Sequence, residues 1–135
     1  MDIENNDTAK KSSAARKTGS LLIHIGRFIA FIAAAFLVVM MISEGALKNI
    51  STADIAGLLL IIFGVIALAS YALSFWKVNY AAFLLIAVSL AYLIHSFYYL
   101  NNGQIALWLL TGMPHLVAAV LLLLGWRIKK ANRSK

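Results

Sequence analysis

Beyond residue 20 the chain alternates between long apolar runs and short polar breaks. Lys, Arg, Asp and Glu are all absent from 28–43, from 55–76 and from 78–126. A membrane-crossing helix needs roughly 20 apolar residues to span about 30 Å of hydrocarbon. The longest charge-free run therefore holds two crossings, divided at the turn-forming Asn101-Asn102-Gly103. The pattern predicts four spans, 21–43, 53–75, 79–99 and 104–126. None of them alternates apolar and polar positions as a membrane barrel strand must. Backbone groups surrounded by lipid need partners inside their own segment, and helices provide them.

These spans predict an all-α membrane protein, an up-down four-transmembrane-helix bundle with short connections between antiparallel neighbours. Residues 1–20 read as a flexible polar cytoplasmic tail, 21–127 as the transmembrane domain and 128–135 as a basic cytoplasmic tail. The first apolar run is too long for the core of a signal peptide, so it is expected to remain as a helix. Ser51-x-x-Asp54 has the form of a capping box that opens the second helix.

Composition supports the same picture. Of 135 residues 62% are hydrophobic and 13% charged, whereas a soluble domain carries about 25% charged residues. With both termini in the cytoplasm, eleven of the twelve basic residues fall on the inner side and only Lys48 on the outer side. That is a strong positive-inside bias. It accounts for the net charge of +7 and suggests attraction to anionic lipid headgroups at the cytoplasmic face. No nucleic-acid-binding module accompanies the basic tail, so no nucleic-acid partner is expected. Trp76-Lys77 and Trp126-Arg127 end the second and fourth helices, while Phe97, Tyr98, Tyr99 and Trp108 gather near the other face, giving two interfacial belts.

Small residues let helix backbones approach where apolar burial contributes little. Candidate packing stripes are Gly26/Ala30/Ala34, Gly57/Gly64, Ala87/Ala91/His95 and Gly112/Ala119. They serve packing within one chain or, in the alternative, a homo-oligomer face. Pro114 cannot donate to the carbonyl of Leu110, so the fourth helix is expected to kink there, with Thr111 placed to satisfy a freed backbone group.

Polar groups at membrane depth are costly and are where function would show. His24, Arg27, His95, Thr111 and His115 form the candidate intramembrane polar site. His24 and Arg27 are three apart on one helical face and suit an anionic headgroup or substrate, or else Arg27 marks the cytoplasmic boundary by snorkelling. At about 1.5 Å per residue, His24 lies roughly 5 Å from that boundary, His115 roughly 14 Å and His95 roughly 24 Å. Such unequal depths disfavour paired haem ligands. His95 is expected to hydrogen-bond a neighbouring helix, and His115, next to the proline, is the best single candidate for a buried functional group.

Several chemistries lack their parts. There is no cysteine for thiol oxidation, and all five acids (Asp2, Glu4, Asp7, Glu44, Asp54) lie in the tail or the outer loop, where they cannot drive proton exchange. No catalytic or metal site, and no cofactor, is expected. The leading reading is a non-enzymatic structural or accessory subunit, with self-association or another membrane protein as partner. A small transporter or channel lined by the candidate residues is the alternative, and a haem- or quinone-binding protein the third.

Arg27, Glu44-Gly45, Trp76-Lys77, Gly112-Met113-Pro114 and the terminal Gly125-Trp126 resemble a family of small bacterial four-helix membrane proteins, a domain of unknown function. The likeness spans most of 21–127. Where that family often has an acidic residue late in the first helix, this chain has Val38, Val39 and Met40, and its second helix has no His or Pro. The resemblance implies a four-helix inner-membrane architecture and carries over no site residues.

Overall fold

A computed structural model describes residues 2–43, 55–99 and 104–132. The turn at Asn101-Asn102-Gly103, the capping box at Ser51, Lys48 and Glu44-Gly45 lie outside the described residues. Four helices account for nearly all the rest: α1 (Asp2–Ser43), α2 (Ile55–Leu73), α3 (Val78–Tyr99) and α4 (Gln104–Ala131). Among the described residues there is no strand. The bundle contains several apolar helices long enough to span a membrane. Three meet that requirement over Lys11–Met40, Val78–Tyr98 and Trp108–Ala131, and Gly57–Leu73 is a shorter apolar helix.

Contact pairs give the topology. Gly19 faces Gly125 and, seven residues on, Gly26 faces Ala118, seven residues back, so α1 and α4 are antiparallel. Arg27 reaches Ser74, Phe31 packs on Tyr71, Phe63 packs on Tyr92, and Trp108 bonds to Ser89. Each helix thus runs opposite to its neighbours, and α1 and α4 close the ring. A tight turn joins α2 to α3, in which Phe75 N–H donates to the Ala72 carbonyl and Trp76 N–H to that of Leu73, at 3.2 and 3.0 Å.

Side-chain sizes are distributed as lipid solvation requires. Ala30, Ala34, Ala67, Ala82, Ala118 and Ala119 are buried, whereas Phe28, Val39, Val65, Phe83, Ile94 and Leu110 are exposed. A soluble monomer rarely shows so much contiguous apolar surface. Bilayer lipid accepts it, and close backbone approach becomes the main source of helix cohesion. A Cβ built on Gly26 would stand 3.1 Å from the Ala118 carbonyl oxygen, and one on Gly125 would stand 2.6 Å from that of Gly19. Glycine at these positions sets the α1–α4 distance.

Three differences from expectation have physical causes. Instead of a flexible tail before residue 21, α1 is continuous helix from Asp2. Its turn around Arg16–Gly19 has a partner, because α4 runs five residues past the expected end at 126, to Ala131. Arg16 Nη2 donates to the Asn132 carbonyl at 2.9 Å, and Gly19 packs on Gly125, so the two extensions support each other. On α3 the buried face is Ala81, Ala82, Leu85, Val88, Ser89, Tyr92, His95 and Ser96; of the expected stripe His95 turns inward, while Ala91 is half-buried and Ala87 exposed. The expected stripe is rotated because serine, as well as alanine, is small enough for this interface. On α2, Gly64 is buried, but a Cβ on Gly57 would meet nothing within 4 Å. Among the described residues, Gly57 opens no packing contact.

Candidate functional site: a basic pocket at one end of the bundle

The five candidate residues fall into two groups. His24 and Arg27 stand at the end of the bundle that contains the α2–α3 turn and the last turns of α4. Thr111, His115 and His95 lie in mid-bundle around Tyr92.

At the end of the bundle a pocket of about 590 Å³ opens between α1, the α2–α3 turn and α4. His24 and Arg27 line it from α1, Lys77 from the turn, and Lys129 and Lys130 from α4. Among the described residues, none that lines it is acidic. Arg27 Nη2 donates to the Ser74 carbonyl at 2.6 Å, and the guanidinium lies 4.6 Å from the Phe75 ring centroid. One face of the cation rests on an aromatic ring and one edge is held by the carbonyl of Ser74, the first residue after α2, a geometry available to Arg and not to Lys. Its Nε is buried without a hydrogen-bond partner. Lys130 Nζ sits 5.1 Å over the Trp126 ring. His24 Nδ1 donates to the Ser20 carbonyl at 2.7 Å, leaving Nε2 as the ring's other polar atom. Trp76 and Trp126 also line the pocket, the residue type that marks the membrane–water interface.

The i, i+3 spacing places His24 and Arg27 on one face of α1. Lys77, Lys129 and Lys130 count among the inner-side basic residues of the sequence but are not among the five candidate site residues. Their signal was topological: in an up-down bundle the α2–α3 turn and the end of α4 share a level with the start of the apolar part of α1.

His95 lines a separate, largely apolar opening with Phe63 and Tyr98; the rest of the mid-bundle group is closed in. Ser89, Tyr92, Ser96, Thr111 and His115 are exposed by 4% or less. His115 Nδ1 donates to the Thr111 carbonyl at 2.7 Å. That carbonyl belongs to the residue after Leu110, whose own carbonyl loses a partner to Pro114, and α4 continues through the proline as one helix. His115 Nε2, the Tyr92 hydroxyl, and Ser89 and Ser96 Oγ have no hydrogen-bond partner. Rings follow one another in contact as His95, Phe63, Tyr92 and His115, with centroid separations of 6.1, 5.3 and 6.3 Å. Protein rings thus fill the space that a haem between the two imidazoles would need. Among the described residues no group of three or more His, Asp or Glu could hold a metal ion. Tyr92, Ser89 and Ser96 escaped sequence reasoning, since hydroxyls in apolar runs carry no positional signal of their own.

Between the two groups lie Ala82 and Leu85 of α3 and Ala118, Ala119 and Leu122 of α4, all at 0% exposure and part of one cluster with Ile23 and Ala30.

Fold and site together define a membrane-embedded all-α domain without an obvious catalytic or metal-binding site among the described residues. Residues 14–134 match the family described as "Domain of unknown function (DUF7670)", and the chain belongs to that family. No curated protein and no solved structure matches it.

Proposed function

We propose that this is a non-enzymatic integral membrane protein of a bacterial inner membrane, a small structural or accessory subunit with both termini in the cytoplasm. The observation that carries the reading is the closely packed apolar layer of Ala82, Leu85, Ala118, Ala119 and Leu122 between the basic end and mid-bundle. A transport path joining the candidate polar residues has to cross that layer, and close packing there favours cohesion over passage. The distribution of basic residues, eleven against Lys48, supports the orientation. With cytoplasmic termini, the basic pocket lies at the inner headgroup plane, where anionic lipids and partner proteins are in reach.

Three measurements test this. Crosslinking in native membranes is expected to trap discrete adducts with a second membrane protein or a second copy. Reconstituted vesicles are expected to show no more solute flux than protein-free ones. Flux that His115→Ala abolishes would overturn the reading, as would a periplasmic C-terminus in a protease-protection assay.

A further inference from the structure

The pocket at the basic end has an excess of positive charge that nothing described in the chain offsets. Arg27, Lys77, Lys129 and Lys130 each carry a full positive charge, and no described lining residue is acidic. A zwitterionic headgroup brings no net charge to this site. A phosphodiester with one negative charge offsets a quarter of it. A phosphomonoester carries about 1.5–2 negative charges near neutral pH, and a diphosphate carries more.

The donors are arranged for such a group as well. Arg27 is held through one nitrogen on the Ser74 carbonyl and through its face on Phe75. Its planar group is therefore fixed in place before a ligand arrives. A guanidinium held this way offers its remaining Nη donors to phosphate oxygens with little ordering cost. Lys129 and Lys130 supply ammonium donors from α4, Lys130 Nζ resting over the Trp126 ring. Lys77, Val78 and Asn79 bring the start of α3 to the pocket wall, and the first-turn N–H groups of a helix lack partners within it. The volume, about 590 Å³, lies within the roughly 300–1,000 Å³ range of ligand sites. Trp76 and Trp126 on the lining put the entrance at the level where lipid headgroups lie.

We infer that this pocket binds the phosphomonoester or diphosphate headgroup of a membrane lipid, with Arg27 and the Lys129/Lys130 pair as its two walls. The lipid source rests on the reading of this end as the headgroup plane.

Trp76 and Trp126 are two of the three tryptophans and line the pocket, so intrinsic fluorescence reports its occupancy. The full-length protein in neutral detergent is titrated with short-chain phosphatidic acid, with phosphatidylglycerol, and with inorganic pyrophosphate. The expected result is a saturable change for phosphatidic acid, at least tenfold tighter than for phosphatidylglycerol. It weakens with salt as a charged site does. Arg27→Gln and the Lys129→Gln/Lys130→Gln pair are each expected to weaken it by tenfold or more. The lysine pair keeps the test valid if loss of the Ser74 bond unfolds the arginine variant. Equal affinity for the two lipids would overturn the inference, because it would reduce the pocket to general surface electrostatics. An absent or non-saturable response would also overturn it. Pyrophosphate binding as tightly as phosphatidic acid would overturn the lipid source and point to a soluble phosphate. None of these outcomes depends on solute flux or on the side of the membrane where the termini lie, so failure here is separate from failure of the accessory-subunit reading.

Discussion

Around the basic pocket, Arg27, Lys77, Lys129 and Lys130 stand at an opening of about 590 Å³. In mid-bundle, Ser89, Tyr92, Ser96, Thr111 and His115 are closed in, none exposed by more than 4%. The first region is rich in charge, the second in neutral hydroxyl and imidazole groups. The difference follows from depth. A cation near a helix end can keep its head among headgroups and water while its stem crosses apolar surface, whereas a lysine or arginine at the bilayer centre costs roughly 2.5–3.5 kcal/mol. Neutral polar groups cost less there and can bond to a nearby carbonyl, as His115 does with Thr111 at 2.7 Å. Among the described residues, the charges that line a pocket therefore stand at this end, and the mid-bundle groups are neutral hydroxyls and imidazoles close to backbone carbonyls.

Moving a charge across this divide has the largest expected effect. His115→Lys places an ammonium at a site with 0% exposure and is expected to destabilise the bundle by about 3–5 kcal/mol, as an uncompensated buried charge does. Thermal unfolding in detergent checks this. At the other end Arg27→Lys retains the charge and is expected to cost only about 1 kcal/mol, the loss of planar stacking on Phe75 and of fork geometry at Ser74. If the two substitutions cost the same, the distinction between the regions disappears.

The next effect concerns the seam that holds the two regions in one bundle. A Cβ on Gly125 would meet the Gly19 carbonyl oxygen at 2.6 Å and Ile23 Cγ1 at 2.7 Å, and a backbone atom cannot give way as a side-chain tip can. Gly125→Leu is expected to push α1 from α4 and cost about 2–3 kcal/mol or more, read as a lower unfolding temperature. Gly57→Leu, where a Cβ meets none of the described residues within 4 Å, serves as the control and is expected to leave that temperature nearly unchanged.

Arg27→Gln tests the end itself. It removes a charge-assisted hydrogen bond to the Ser74 carbonyl, 2.6 Å long, and the cation on Phe75. A half-buried bond of this kind contributes roughly 1–2 kcal/mol. The expected outcome is a modest loss of stability accompanied by local loosening of the α2–α3 turn, measured as faster amide exchange at Phe75 to Lys77. Exchange that stays unchanged there would show that Arg27 does not hold the turn.

How far the chain announces these regions depends on which force places each part. Charge-free runs mark α2, α3 and the start of α4 to within about two residues, because the hydrocarbon thickness acts on composition directly. It is silent on polar helix. The first turns of α1 contain Lys11, Arg16 and Lys17 and look like a solvated tail, yet they continue as helix where α4 extends beside them, a tertiary effect that periodicity does not register. His24 and Arg27 are legible as a pair from spacing alone. Lys77, Lys129 and Lys130 join them only through the fold. The rotated face of α3 shows the same limit: Ala87 and Ala91 match a small-residue rule, but Ser89, Tyr92 and Ser96 occupy the interface, since which small residue turns inward is decided by the neighbours' shapes.

The smallest expected effect is also the most discriminating for mid-bundle. Tyr92 is 2% exposed, its ring lies edge-on to Phe63 at 5.3 Å and stacks on His115 at 6.3 Å, and its hydroxyl has no hydrogen-bond partner. Phenylalanine at this position preserves every ring contact and removes only the unpartnered oxygen. A buried polar group without a partner costs about 1–3 kcal/mol, part of which the substitution recovers, less any small void it leaves. Tyr92→Phe is thus expected to leave stability unchanged or raise it by up to about 1 kcal/mol. A loss of about 2 kcal/mol instead, larger than the loss of one ordinary hydrogen bond, would mean that the hydroxyl is bonded in the membrane-embedded protein. The nearest source of such a bond is water admitted among Ser89, Ser96 and His115. In that case mid-bundle is hydrated, and what divides it from the basic end is charge alone and no longer access.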